Sequence, residues 1–379
     1  MSNAIYQGVL LDGQAVQITV SGQKIASVAA MPGGAELPRL LPVLVDLQQN
    51  GALGHAFNLM SKENIDGLRA IARHLLQNGV GRILATLTTC PYEKLSIACA
   101  ALKTLLDENP ELNRLFAGIF HEGVFISPKA GWRGGHAPEY IRPPDWDCLQ
   151  RLNELSGYRI RMVNVAPEEP GGLEFISAAA KAGIIVAIGH CCPDTDTIRR
   201  AADCGASVVT HFANGAAPEI HRFHNPFWGF LDEERLRLGL VGDGFHLLPE
   251  IVRVALKVKG QQSCFMVSDA NMHSGRPPGA YQRIGGVDCI IEPNGFIHLP
   301  DAQILAGAWF QNNRGVEFLV NQVGLCFEDA WRLCSTTPAR IANIDLPDLR
   351  AGSEATFVQA RFQDGKLTIE KTLLLGSEY

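Results

Sequence analysis

Eight short apolar runs recur along the middle of the chain, at 43–47, 83–87, 116–120, 162–165, 184–188, 207–210, 238–241 and 264–267, each followed by a helix-like stretch. The segments 64–76, 173–182 and 195–202 carry apolar residues at helical spacing, and Gly183, Gly205 and Gly260 punctuate several of the ends. Runs that are apolar throughout, rather than alternating, suit strands buried on both faces, as in a parallel sheet covered by helices. Eight such repeats predict an α/β fold, a parallel (β/α)8 TIM barrel. An open doubly wound sheet is the alternative. No Gly-x-Gly-x-x-Gly follows the first run, which weakens its dinucleotide-binding version.

The chain ends read differently. Residues 4–11, 15–20 and 24–28 are strand-like and broken by Asp12-Gly13 and Ser21-Gly22, and Met31-Pro32-Gly33-Gly34 reads as a linker. At the other end, 355–360 and 367–375 flank a turn at Asp364-Gly365. A few strands from either end are too few to fold alone, so the two ends are expected to pair into one small β-sandwich domain. The predicted division is 1–42 plus 350–379 for that domain and 43–349 for the barrel. A length of 379 residues, 46% hydrophobic and 19% charged, suits one large compact domain with a small companion.

A formal net charge of -6 argues against broad binding to nucleic acid or to anionic membrane, while leaving room for a local basic pocket. No apolar run approaches the roughly 20 residues that span a bilayer, and the first residues do not read as a secretory signal. Ten cysteines without paired Cys-x-x-Cys spacing read as reduced thiols, so a cytoplasmic protein is expected.

In a barrel of this kind chemistry collects at the C-terminal ends of the strands. Directly after the runs stand His121-Glu122, Gly189-His190, His211, Gly242-Asp243 with His246 close behind, and Ser268-Asp269. Taken singly, each has a plain explanation as a hydrogen-bonded structural histidine or a capping carboxylate. Scattered structural residues would not favour the same end of five of the eight strands. Glu122, His190 and His211 supply one carboxylate and two imidazoles, a set that with water in the fourth position makes a catalytic metal site. Zinc stands first, with iron, cobalt and manganese able to occupy the same ligands. Across the mouth, Asp269 is placed to act as general base and then general acid, its plainer reading being a cap on the loop 271–275. Cys191-Cys192 read as small buried thiols.

The pattern resembles the amidohydrolase superfamily, and within it the N-acetylglucosamine-6-phosphate deacetylases. The likeness runs from Leu41-Pro42-Val43 to Thr337-Pro338-Ala339. It is strongest at His121-Glu122-Gly123, Gly189-His190, Thr210-His211-Phe212-Ala213-Asn214, Asp243-Gly244-Phe245-His246 and Ser268-Asp269-Ala270. The resemblance implies Glu122, His190 and His211 as metal ligands and Asp269 as the catalytic acid/base. It adds His136, in Gly134-Gly135-His136-Ala137-Pro138, as the imidazole that polarises the substrate carbonyl. Many superfamily members carry His-x-His after the first strand for a second metal; Gln48-Gln49-Asn50 stands there, which implies a single divalent ion. Asn214, Gly215, Arg222 and His246 match positions that hold the sugar phosphate, and Ala306, Gly307 and Ala308 fall in a substrate-contacting stretch. Read plainly, Arg222 is a surface residue of the loop 221–225. A homodimer acting on a phosphorylated N-acyl amino sugar is also implied.

The departures lie in the substrate pocket. Asn214-Gly215-Ala216 stands where Asn-Ala-Met is usual, Phe223-His224-Asn225-Pro226-Phe227-Trp228 replaces a Glu-Pro-Gly type sequence, and Leu305-Ala306-Gly307-Ala308-Trp309 replaces a Ser-Gly-Ser-like stretch. The expected reaction is hydrolysis of the N-acetyl amide of an amino sugar 6-phosphate. A deaminase or cyclic amidase on the same barrel, or a non-catalytic binding protein, are the competing readings.

Overall fold

A computed structural model of the chain describes every residue except 1–2, 35, 285, 287 and 301–304. Eight strands form one parallel sheet in sequence order: Leu44–Gln49, Val80–Leu87, Phe116–His121, Ile160–Val165, Ile185–Ile188, Ala206–Val209, Arg237–Val241 and Cys264–Val267. All eight predicted runs are therefore strands. The sheet closes on itself at its C-terminal end, where the Asp269 amide donates to Gln48 O at 3.0 Å and the Asn50 amide donates to Ala270 O at 2.9 Å. Deeper in the same seam, Asn312 Nδ2 donates to Val45 O at 2.9 Å and to Met266 O at 3.3 Å.

Alternation along the strands sorts their side chains into two cores. Val45, Leu47, Leu84, Phe120, Met162, Val208, Val241 and Phe265 fill the barrel interior. Leu44, Ile83, Ile119, Val163, Ile188 and Leu240 face outward into the layer beneath the helices. The helices bury one stripe each. Over Ile65–Gln77 that stripe is Leu68, Ile71, Ala72, Leu75 and Leu76, the i, i+3, i+4 spacing of an amphipathic helix. Asp145 and Asp194 start helices Trp146–Leu155 and Thr195–Asp203 by accepting from the amides of Cys148 and Thr197. The helices Gly172–Lys181 and Pro249–Lys259 stop just ahead of Gly183 and Gly260, as expected.

The chain ends pair into a seven-stranded sheet. The join is between Arg39–Leu41 and Phe357–Gln363, antiparallel, with Val358 opposite Leu41. Tyr6, Val16, Ile18, Val20, Ile25, Leu40, Phe357 and Leu373 form its core. Arg82 and Arg114, on the barrel side, both bind Glu354, at 3.1 and 2.7 Å.

One element escaped the sequence reading. After the last barrel strand, Gly279–Gln282, Asp288–Ile291 and Ile297–His298 form a small antiparallel sheet over Cys289, Ile291, Ile297 and Ala306. Its strands are too short for alternation to stand out from loop composition. Among the described residues no helix is long and apolar enough to cross a membrane.

Candidate active site

Three of the predicted residues stand just beyond the ends of barrel strands, with one residue between, and turn back on themselves. His190, His211 and Asp269 have φ of 50°, 28° and 50°, a left-handed conformation that costs a residue with a β-carbon. The turn aims each side chain into the barrel mouth. His211 Nε2 stands 3.0 Å from both Glu122 Oε1 and His190 Nε2, and His190 Nε2 is 3.6 Å from Glu122 Oε1. All three side chains are buried. The His190 and His211 rings meet at right angles, 4.6 Å between centres. His190 Nδ1 lies 3.0 Å from Trp132 O, a bond it makes as donor, which leaves the Nε2 lone pair facing the cluster.

Asp269 faces this cluster across one amide. Gln48 Nε2 donates to Glu122 Oε1 at 2.7 Å and to Asp269 Oδ1 at 3.2 Å, and Asn50 Nδ2 donates to the same Asp269 oxygen at 3.0 Å. Asp269 therefore does not cap the loop that follows; Asn271 does, accepting from the His273 amide at 2.7 Å. His136 completes the group. Its Nδ1 is 2.7 Å from Thr89 Oγ1, its ring is 4.4 Å from that of His190, and Glu122, His136 and His190 offer ligand atoms within 4.8 Å of one another.

The electrostatics divide the two carboxylates. Burial opposes ionisation of Glu122, but the neighbouring imidazoles of His190 and His211 outweigh it and hold the carboxyl below the usual range. Burial, and then the charge on Glu122, push the Asp269 carboxyl above its usual range. Burial, with His190 beside it, holds the His136 imidazole neutral.

The donor set fits a divalent cation. Separations of 3.0 to 3.6 Å among one carboxylate oxygen and two imidazole nitrogens suit ligands each about 2.0–2.2 Å from one shared ion.

The predicted substrate residues distribute unevenly. Gly215 lies on the site: with φ of 61°, a β-carbon there would stand 2.5 Å from His190 Nδ1. Asn214 joins it through its amide, which donates to His211 O at 2.8 Å. Ala306, Gly307 and Ala308 run beside Asp269, with the Ala308 amide donating to Asp269 O at 3.1 Å and Asn271 Nδ2 donating to Ala306 O at 2.7 Å. His246 is held by Asp243, Nδ1 to Oδ2 at 2.6 Å. Burial works against protonation of this imidazole, but the Asp243 carboxylate prevails and raises its pKa. Arg222 is exposed, its guanidinium over the Phe223 ring at 5.0 Å, and it makes no side-chain hydrogen bond to the residues named above. Sequence reasoning missed the supporting residues Thr89 and Trp132. It saw Gln48 and Asn50 only as missing histidines, although two amides at the end of a barrel strand carry the same positional signal as the acids they bridge.

No protein-family model matches the chain. It is 28% identical over 353 residues to the N-acetylgalactosamine-6-phosphate deacetylase of Escherichia coli, covering 90% of this chain and 89% of the relative. It is 27% identical to the N-acetylglucosamine-6-phosphate deacetylase of Homo sapiens, covering 89% of this chain and 82% of the relative. A variant N-acetyl-D-glucosamine-6-phosphate deacetylase from Mycobacterium smegmatis, solved with N-acetyl-D-glucosamine-6-phosphate, superimposes with a TM-score of 0.87 at 24% identity over 100% of this chain and 99% of that one. The N-acetylglucosamine-6-phosphate deacetylase of Thermotoga maritima superimposes with a TM-score of 0.84 at 22% identity over 98% of both chains. These relatives and the two superimposed structures are amino sugar 6-phosphate deacetylases.

Proposed function

We propose that the chain is a metal-dependent deacetylase that hydrolyses the N-acetyl amide of an amino sugar 6-phosphate to acetate and the free amine. The observation that carries this is the meeting of Glu122, His190 and His211 around one point, with Asp269 one amide bridge away. Glu122, His190 and His211 would hold a single divalent ion, zinc in this reading. When bound, such an ion supplies Lewis acidity, lowering the pKa of water and polarising an amide carbonyl.

The remaining steps belong to the side chains. Asp269 takes a proton from the attacking water and returns it to the leaving nitrogen, a double role that its raised pKa suits. With Thr89 donating to His136 Nδ1, the proton of this neutral imidazole sits on Nε2, from which it donates to the carbonyl oxygen as negative charge develops there. Gln48 and Asn50 fix Asp269 in place without adding charge. Asn214, Gly215, Arg222 and His246 hold the sugar phosphate, and Ala306, Gly307 and Ala308 line the side next to Asp269. The homodimer and the cytoplasmic setting belong to the same reading; ten free cysteines support a reducing compartment.

The test is release of acetate by metal-loaded protein from N-acetylglucosamine 6-phosphate and N-acetylgalactosamine 6-phosphate. Ammonia in place of acetate would assign a deaminase, and a metal-loaded protein that hydrolyses none of these sugars would overturn the proposal. Arg222→Met should raise KM for the phosphorylated sugars more than for the unphosphorylated ones; equal effects would remove Arg222 from the phosphate.

A further inference from the structure

Arg283 stands at the end of the strand Gly279–Gln282, on the small antiparallel sheet that follows the last barrel strand. Two contacts bring it to the mouth of the site. Gln282 O lies 2.9 Å from His273 Nε2, which ties the strand to the loop after Asp269. Its guanidinium lies over Gly135: a β-carbon there would stand 3.1 Å from Nη1 and 3.4 Å from Nη2. Gly135 precedes His136, whose ring touches that of His190. Arg283 is therefore packed against the residue that precedes the proposed carbonyl-polarising imidazole.

Most arginines packed into this fold have acid partners, as Arg82 and Arg114 have in Glu354. Among the described residues Arg283 has no ion pair and no side-chain hydrogen bond. Burial works against its charge, and the groups that favour the charge, Cys289 and Asp269, act only at a distance. A half-enclosed guanidinium without a partner is costly unless something supplies oxygens to its donors.

We propose that Arg283 is a specificity residue that grips an oxyanion of the substrate, the phosphate of the amino sugar phosphate. This rests on the deacetylase reading above. A planar guanidinium offers parallel N–H donors at the spacing of phosphate oxygens, which a lysine does not reproduce. Arg222, the cation singled out in the sequence, lies on exposed Phe223, where water screens it. Arg283 is the more enclosed of the two and so gains more from an anion. The contact also explains why Gly135 lacks a side chain: even a methyl group would press on the guanidinium.

The test compares metal-loaded wild type, Arg283→Met and Arg283→Lys on N-acetylglucosamine 6-phosphate and its unphosphorylated counterpart, with circular dichroism and metal content as checks on folding. Arg283→Met should raise KM for the phosphorylated sugar by roughly 10- to 100-fold, the size of one lost charged hydrogen bond or pair, with kcat kept within about threefold. Arg283→Lys should recover part of the loss, and kcat/KM for the unphosphorylated sugar should not move. An unchanged KM, or an equal loss on both sugars, overturns the inference. Calorimetric titration with inorganic phosphate and with acetate keeps the inference separate from the deacetylase reading. If wild type hydrolyses neither sugar, that reading fails, while phosphate binding lost in Arg283→Met still upholds an oxyanion site. Acetate binding of equal strength would assign a carboxylate instead, and wild type that binds neither anion overturns it.

Discussion

The sheet built from the chain ends and the mouth of the barrel solve opposite problems with the same chain. In the terminal sheet the buried side chains are apolar apart from Thr372, and the Tyr6 and Phe357 rings meet edge to face with centres 5.2 Å apart. The bulky left-handed residues near it, Asp364 and Leu375, lie in turns. At the barrel mouth the buried residues include Glu122, His190, His211 and Asp269, and three of these four carry left-handed strain just beyond a strand. Burying polar groups and strained backbone costs stability. The mouth tolerates that cost because the closed barrel surrounds it, and among the described residues the terminal sheet holds no comparable buried cluster of acids and histidines.

Substitutions should therefore separate the two regions by what they damage. Asp269→Asn should lower kcat by about 10²- to 10⁴-fold, the usual share of a general acid/base, with metal content retained; near-wild-type turnover would take Asp269 out of the chemistry. Phe357→Ala should destabilise the protein by about 3–5 kcal/mol in denaturant titration, the cost of emptying a fully buried aromatic site, with kcat per folded molecule unchanged. A fall in kcat beyond the fall in folded fraction would mean that the terminal sheet shapes the mouth. Gly215→Ala should press on His190 and weaken metal affinity roughly 10- to 100-fold, as disturbing the support of a ligand does; competition with a chelator measures it.

The smallest effect concerns Asp46, buried in the seam between the first and last barrel strands. It accepts from the Ser268 hydroxyl, from the Ser268 amide at 3.1 Å and from the Gln48 amide at 3.2 Å. Burial pushes its pKa up to about 7. The folded state thus holds a proton that the unfolded chain releases near pH 4. Its contribution to stability is fully present below that pH and is lost as pH rises through about 7. Urea midpoints measured between pH 5 and 8 should fall with rising pH in wild type and less so in Asp46→Asn; parallel slopes would assign the pH dependence to other groups.

Much of this was readable in advance, for reasons that differ by element. The eight barrel strands announced themselves because a strand buried on both faces must be apolar throughout, as Val80–Leu87 is. Glu122, His190, His211 and Asp269 were readable because the barrel places the residue after each strand at one rim, so position in the repeat stands in for position in space. Gln282 and Arg283 gave no such signal. They lie in a short sheet with no strong periodicity, and only its contacts with His273 and Gly135 bring it over the site.

The repeat pattern by itself determined the architecture and which end of it carries polar side chains, since burial dictates hydrophobicity locally, residue by residue. Tertiary structure alone decided the rest: that Glu122, His190 and His211 come within 3.0 to 3.6 Å of one another, that Gln48 bridges Glu122 to Asp269, and that Arg283 reaches His136's loop. Those distances depend on closure of the barrel between its first and last strands, a contact between segments more than 200 residues apart that no local pattern encodes.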